Sequence, residues 1–412
     1  MTPVEQGNMD RTILINAQHL SVEASGGAGK YAYELIDGLL RCVGTESHEG
    51  LRIVPINLAS GGNHDSARRP DWKFRIRNRI PSPLLPFARG VYRWMKGTRG
   101  GGVTGLALSH EADPDVGEAA IFHELTNYTG DSRLGRVALQ THTKLCVTFL
   151  DVQDLFYPQY FDDQTLSARR LYYSFYKDRA DLIFAISQFT KDTLVERLGI
   201  EPERIVVTHL AADELDPEAL GEDIVAWARS HGRYLVYPSK LWAHKNHANL
   251  IKAMGRVAPL FREKRVKLLF TGGFSPSDRK YLVDLAETCR AVDLIDIVGF
   301  LPKAKLQALI RHAEMMVFPS LFEGFGMPVL EAMQLGCPVV ASRAGSLHEI
   351  CGDAMLPILP EDADDIAGVL EAVCEGRVDR EALIARGYEQ AKKFDWRNTV
   401  MGTLNGYLRL LG

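Results

Sequence analysis

Short apolar runs alternate with longer amphipathic stretches along the whole of this 412-residue chain. In the first half the runs occupy 12–17, 52–58, 119–125, 144–151, 182–187 and 204–210. In the second half they occupy 234–239, 266–271, 296–300, 315–319 and 338–342. Each is rich in Val, Ile, Leu and Phe and closes on Gly, Pro, Ser or Asp. Continuous apolar strands separated by helices predict parallel sheets covered on both faces. The intervening stretches read as helices. Tyr31, Leu35, Ile36, Leu39 and Leu40 share one side of 31–41, Ser187 is placed to cap 189–198, and Leu306, Leu309 and Ile310 line one face of 302–312. The acidic stretch 213–232 lacks a strand pattern and is read as a domain junction. The fold class predicted is therefore α/β: two doubly wound, Rossmann-like domains, 11–212 and 232–385, facing one another across a ligand cleft. Trp396, Val400, Leu404, Tyr407 and Leu408 form an apolar stripe in 395–412, which predicts a C-terminal helix returning to the first domain.

Composition narrows the function classes. A hydrophobic content of 46% and a charged content of 24% are those of an ordinary globular protein, and a net charge of −4 argues against a nucleic-acid binder. The six cysteines form no Cys-x-x-Cys pair and no zinc spacing, so they are read as reduced thiols of a cytoplasmic protein. The first residues, MTPVEQGNMDR, have no apolar core of a signal peptide, and no apolar run reaches the roughly 18 residues of a membrane span. No metal or cofactor is called for. Asp113-Pro114-Asp115 has the form Asp-x-Asp but lies in a polar loop and is read as a turn.

The densest chemistry lies in SLFEGFGMPVLEAMQLGCPVVAS, residues 320–342. A strand ends, a loop carries Gly324 and Gly326, and Pro328 sits where a helix begins, a position that tolerates its missing N–H. Backbone can approach a ligand at such glycines, and the free N–H groups of a helix start attract an anion. Glu323 and Glu331 flank that anion site. Carboxylates beside a diphosphate need another partner, and sugar and ribose hydroxyls supply one. Lys240 and Lys245, in KLWAHKNH after the strand 234–239, would face the diphosphate and stabilise its charge as it leaves. Gly272 and Gly273 follow the next strand.

The run FEGFGMPVLEAM resembles the signature of family 4 retaining glycosyltransferases of the GT-B fold. The resemblance extends through YPSKLWAHKNHANLIKAM, GFLPKAKLQALI and GCPVVASRAGSLHEICGDA, is dense over 234–375 and is thinner before it. It implies Lys245 as the diphosphate lysine and Lys240 where the family more often has arginine. It implies Glu331 at the ribose, Glu323 on the donor-sugar side, and Phe325, Gly326, Met327 and Pro328 in the loop holding sugar and phosphate. Leu301 stands where the family contacts the base.

In the first half, Gly26, Gly27 and Gly29 are read as a loop leading into a helix. It lacks the spacing of an ATP-binding loop and resembles the family's glycine loop facing the donor phosphates. His123 matches a family histidine near the donor sugar and is counted, with Glu323 and Lys245, among the catalytic candidates. Asp151 follows Leu150 where the family commonly has His-Asp, and is placed on the acceptor side. A basic, aromatic-rich stretch between Arg68 and Arg99 fits an interfacial helix on an anionic membrane, near a lipid-linked acceptor; a solvated basic face fits equally well. The reading is a retaining hexosyltransferase, metal-independent, using a GDP- or UDP-linked sugar, with mannose weakly favoured. It would act at the cytoplasmic face of the membrane on a glycan or lipid-linked acceptor. A nucleotide-sugar epimerase or hydrolase, and a non-catalytic nucleotide-sugar-binding subunit, are the alternatives.

Overall fold

The structure is a computed structural model that describes residues 11–16, 22–43, 51–56, 119–126, 143–212 and 220–412. The stretch between Arg68 and Arg99, and Asp113-Pro114-Asp115, lie outside the described residues.

Two six-stranded sheets account for the strands among the described residues. The first is built from β1 (Arg11–Asn16), β2 (Leu51–Ile56), β3 (Ile121–Glu124), β4 (Lys144–Phe149), β5 (Leu182–Ala185) and β6 (Ile205–Val207). Its order is β2-β1-β3-β4-β5-β6, all parallel. The second holds β7 (Arg233–Pro238), β8 (Val266–Thr271), β9 (Ile295–Gly299), β10 (Met315–Phe318), β11 (Val339–Ser342) and β12 (Met355–Ile358), in the order β12-β11-β10-β7-β8-β9, again parallel. Most strand residues are buried, as sheets covered on both faces require. Strand order reverses between β1 and β3 in the first sheet and between β7 and β10 in the second. Such reversals open a crevice beyond the carboxyl ends of the strands, where ligands bind.

The α-helices among the described residues are α1 (Val22–Val43), α2 (Asp163–Arg179), α3 (Gln188–Leu198), α4 (Glu222–Arg229), α5 (His247–Lys264), α6 (Pro276–Thr288), α7 (Lys303–Arg311), α8 (Met327–Gln334), α9 (Leu347–Cys351), α10 (Ala363–Cys374), α11 (Arg380–Ala391) and α12 (Trp396–Leu411). Ser187 caps α3 by accepting from the Thr190 amide, and Gly199 closes that helix in the left-handed region. Helix α12 packs on α1, β5 and β6 of the first domain. Val400, Leu404 and Tyr407, its buried stripe, join that domain's core.

Three expectations change. The glycines Gly26, Gly27 and Gly29 are not a loop: they lie inside α1, which starts at Val22. The junction stretch contains α4. The strand β12, MLPI, has no counterpart among the runs read from sequence, because it is four residues long and interrupted by Pro357.

Candidate functional site

The second sheet's reversal point assembles most of the predicted residues. The chain leaves β7 through Ser239 and Lys240 into a short 3₁₀ turn, Ala243–Lys245, and enters α5. The Tyr237 hydroxyl donates to the Lys245 carbonyl at 2.6 Å, fixing this turn from below. From the neighbouring β10 the chain runs through 319–326 into α8, with Gly326 at φ +106 and Pro328 in the first helical turn. Lys245 Nζ meets Glu323 Oε1 at 2.6 Å, with only 15% and 10% of the two side chains exposed. Burial and the nearby Lys245 charge lower both His244 and His247 to about 3, so Lys245 is the sole cation of the HKNH run at neutral pH.

The loop bearing Glu323 is tied from behind. Ser346 Oγ donates to the carbonyls of Glu323 at 3.1 Å and Phe325 at 2.8 Å, and the Ser346 amide donates to Glu323 O at 3.1 Å. Gly345, at φ +59, presses its backbone on the Glu323 carbonyl; a Cβ there would collide with it. The loop is thus a rigid platform.

The first domain closes over it. Ser187 Oγ donates to Gly324 O at 2.9 Å, and Tyr157 Oη to Leu321 O at 3.0 Å. Phe322 sits among Phe156, Phe189 and Tyr157, with ring centroids 5.5, 5.8 and 6.4 Å away. Gly324 lies against the Leu150 carbonyl and Asp151, so any side chain there would force the domains apart. Lys30 of α1 reaches across the cleft to Glu331 Oε1 at 2.9 Å, and Gly27 faces the Met327 methyl. Each glutamate flanking the cleft therefore has a lysine partner, one from each domain.

A second cross-domain joint lies at α9. Glu349 accepts the amides of Gln188 at 2.8 Å and Phe189 at 3.1 Å, at the start of α3, and pairs with His209 Nε2 at 2.5 Å. Burial would raise its carboxyl, but the hydrogen bonds from His209 and the two amides outweigh burial and hold it below the usual range.

Other predicted residues are placed apart. Lys240 is exposed, its ammonium 5.6 Å from the Trp242 ring rather than beside Glu323. Gly272 stacks on the Ser239 carbonyl at the base of the crevice. Leu301 is half-buried against the core, while its neighbour Phe300 is 77% exposed. Asp151 accepts the Gln153 amide at 3.1 Å and lies 4.0 Å from Arg169, at the domain contact.

His123 corrects the sequence reading. It is fully buried, hydrogen-bonded to Tyr407 of α12 at 2.5 Å and to Thr148 of β4 at 2.9 Å, and burial lowers it to about 3. Its place is the joint between the first sheet and α12, not the cleft. Strand alternation explains this: His123 points to the α1/α12 face, and Glu124 to the other. Sequence reasoning also gave no role to Lys30, Phe322 or Glu349. Lys30 was visible only as a lysine after glycines, and Glu349 only as part of SLHEICGDA. Among the described residues no cluster of three His, Cys, Asp or Glu side chains could hold a metal ion, and no helix is long and apolar enough to cross a membrane.

Residues 226–390 match the profile of the family described as glycosyl transferases group 1. This stretch is a group 1 glycosyltransferase domain. It contains the Lys245–Glu323 pair, the bound loop and Glu331. The chain is 32% identical over 238 residues to O-antigen chain mannosyltransferase B of Escherichia coli, covering 56% of this chain and 61% of that protein. It is 31% identical over 244 residues to the serotype-specific mannosyltransferase WbdA of Escherichia coli, covering 57% of this chain and 29% of that protein. The matched part thus spans less than two thirds of either relative. The fold of the glycosyltransferase domain and its partner domain together is GT-B. Anabaena HepE, solved in complex with UDP and glucose, superposes with a TM-score of 0.65 over 96% of this chain and 99% of its own, at 18% identity.

Proposed function

We propose that this chain is a retaining hexosyltransferase that moves a sugar from a nucleotide diphosphate donor to a glycan or lipid-linked acceptor. The observation that carries the reading is the Lys245–Glu323 ion pair at the reversal point of the second sheet, on a loop tied by Ser346 and capped by the other domain. A largely buried lysine and carboxylate that satisfy each other without ligand are poised for exchange. A donor diphosphate takes Glu323's place beside Lys245, and Glu323 turns to the sugar hydroxyls. Glu331 exchanges Lys30 for the ribose diol. The acceptor hydroxyl then attacks the anomeric carbon from the face the diphosphate leaves. The bond from that carbon to the phosphate oxygen breaks, and the hydroxyl proton passes to that oxygen. Lys245 and the α8 N-terminus stabilise the charge that develops, a role that needs no divalent ion.

GDP-mannose is the favoured donor, supported by the mannosyltransferase names of the two Escherichia coli relatives and by the HKNH form of the lysine turn. The epimerase, hydrolase and non-catalytic readings are not favoured. The basic stretch between Arg68 and Arg99 would hold the protein at an anionic membrane on the cytoplasmic side, close to a lipid-linked acceptor. Binding to phosphatidylglycerol vesicles at low salt, lost at high salt, supports that location; no binding removes it.

The test is a transfer assay with GDP-mannose and UDP-glucose, with and without EDTA, and NMR of the product's anomeric configuration. Retention from GDP-mannose, unaffected by EDTA, is the expected result. An inverted product, or release of free sugar alone in the presence of acceptors, would overturn the reading.

A further inference from the structure

The first sheet also has a reversal point, and a buried acid stands on it. Asn16 and Glu124 are the last residues of β1 and β3, the two strands between which the order reverses, and they are paired in register. Asn16 Nδ2 donates to Glu124 Oε2 at 2.7 Å. Both residues are almost fully enclosed, at 1% and 0% exposure. The other carboxyl oxygen, Oε1, is buried without a hydrogen-bond partner. Buried carboxyl oxygens are nearly always paired, because an unpaired one has lost its water and gained nothing in return. Glu124 is the exception on its face of the sheet, which is otherwise apolar, with Leu14, Phe122 and Val147 beneath α2.

We propose that Glu124, held by Asn16, is an acceptor-binding residue whose free Oε1 hydrogen-bonds a hydroxyl of the acceptor sugar. The inference rests on the transferase reading above and adds to it a residue for the first domain.

Three observations favour a sugar hydroxyl as the occupant. Ligands of parallel sheets bind at such reversal points, and the donor already has the one in the second sheet. A hydroxyl both donates and accepts, so it pairs with Oε1 whether the carboxyl is ionised or neutral, whereas a phosphate oxygen only accepts. Burial pushes the Glu124 carboxyl up to about 8, against the opposing hydrogen bonds from Asn16 and Thr126, so the group is readily neutral in a dry site. Glu124 is closed off in this state, so acceptor binding requires the strand ends around it to be uncovered.

The test compares Glu124→Ala and Glu124→Gln with the unmodified chain. The donor is GDP-mannose, the acceptors are methyl α-mannoside and α-mannobiose, and GDP affinity and melting temperature are read in parallel. For Glu124→Ala an acceptor KM raised at least tenfold is expected, with GDP affinity within twofold. For Glu124→Gln, which keeps the shape and a hydrogen-bonding amide, a smaller rise is expected at a melting temperature no lower than that of the unmodified chain. An acceptor KM unchanged in a folded Glu124→Gln and Glu124→Ala would overturn the inference while leaving the transferase reading intact. Parallel loss of GDP affinity would also overturn it, by marking Glu124 as structural. If the unmodified chain transfers to no acceptor from any nucleotide sugar, the transferase reading falls and this inference with it.

Discussion

The two domains share a topology and handle their polar groups in opposite ways. In the glycosyltransferase domain, the charged residues of the crevice are largely buried and satisfied by ion pairs: Lys245 by Glu323, and Glu331 by Lys30 from the facing domain. In the first domain the polar residues at the strand ends, His123 and Glu124, are sealed, and burial drives their proton affinities in opposite directions. One domain presents a prepaired, exchangeable site on a tied loop. The other keeps an unpaired carboxyl oxygen out of water. A diphosphate brings its own charge and can displace an ion pair. A neutral sugar needs sites that are already dry.

The largest expected effect lies in the tied site. Lys245→Ala removes the cation proposed to face the leaving group and leaves Glu323 buried without its partner. Loss of one such stabilising group costs about 10²–10³ in kcat. Initial rates of sugar transfer check this, and a loss under tenfold would place the donor elsewhere. Next comes the contact between domains. Gly324→Ala puts a methyl against the Leu150 carbonyl and Asp151. It should lower kcat by roughly tenfold or more, as a small misplacement of the reacting groups does, while nucleotide affinity holds. Equal losses in both would show that the platform itself, not closure, is damaged.

Smaller effects follow from the α9 joint. Glu349→Ala strands the amides of Gln188 and Phe189 at the start of α3 and frees His209. A loss of about 1–3 kcal/mol in stability is expected, a melting shift of a few degrees. The smallest effects are those of pH. His123 is lowered to about 3 from 6.5, so its contribution is present above pH 6.5 and lost as pH falls toward 3. His244 and His247 act in the same direction from the other domain. Glu124 is raised to about 8 from 4.5, so its contribution is present below pH 4.5 and lost as pH rises through 8. Denaturant unfolding of Glu124→Gln should therefore remove a fall in stability between pH 4.5 and about 8 and leave the profile below pH 4.5 unchanged. An unaltered slope between pH 4.5 and 8 would contradict the burial assigned to Glu124.

The sequence makes the sheets legible, because a strand buried on both faces is a continuous apolar run. The turn from β10 into α8 is legible as well, because glycines followed by a proline mark a tight loop and a helix start. It is less clear where the physics depends on direction. His123 is assigned from its resemblance to a family position, yet period-2 alternation sends its ring to Tyr407 and Glu124 to the opposite face. The glycines before Tyr31 read as a loop, but neighbouring helix formers carry α1 through them. Lys30, Phe322 and Glu349 act across the domain boundary, and nothing local marks a side chain whose partner lies more than a hundred residues away.

The account stands most directly on nucleotide binding at the Lys245–Glu323 site. The measurement is the melting temperature of the unmodified chain, Lys245→Ala and Glu331→Ala, each with GDP, UDP, ADP or dTDP. A nucleotide at ~100 times its Kd should stabilise the fold by about 2.7 kcal/mol. The account predicts that one nucleotide, GDP foremost, raises the melting temperature of the unmodified chain and raises it less in both variants. No shift with any nucleotide, or the same shift in Lys245→Ala, would contradict it.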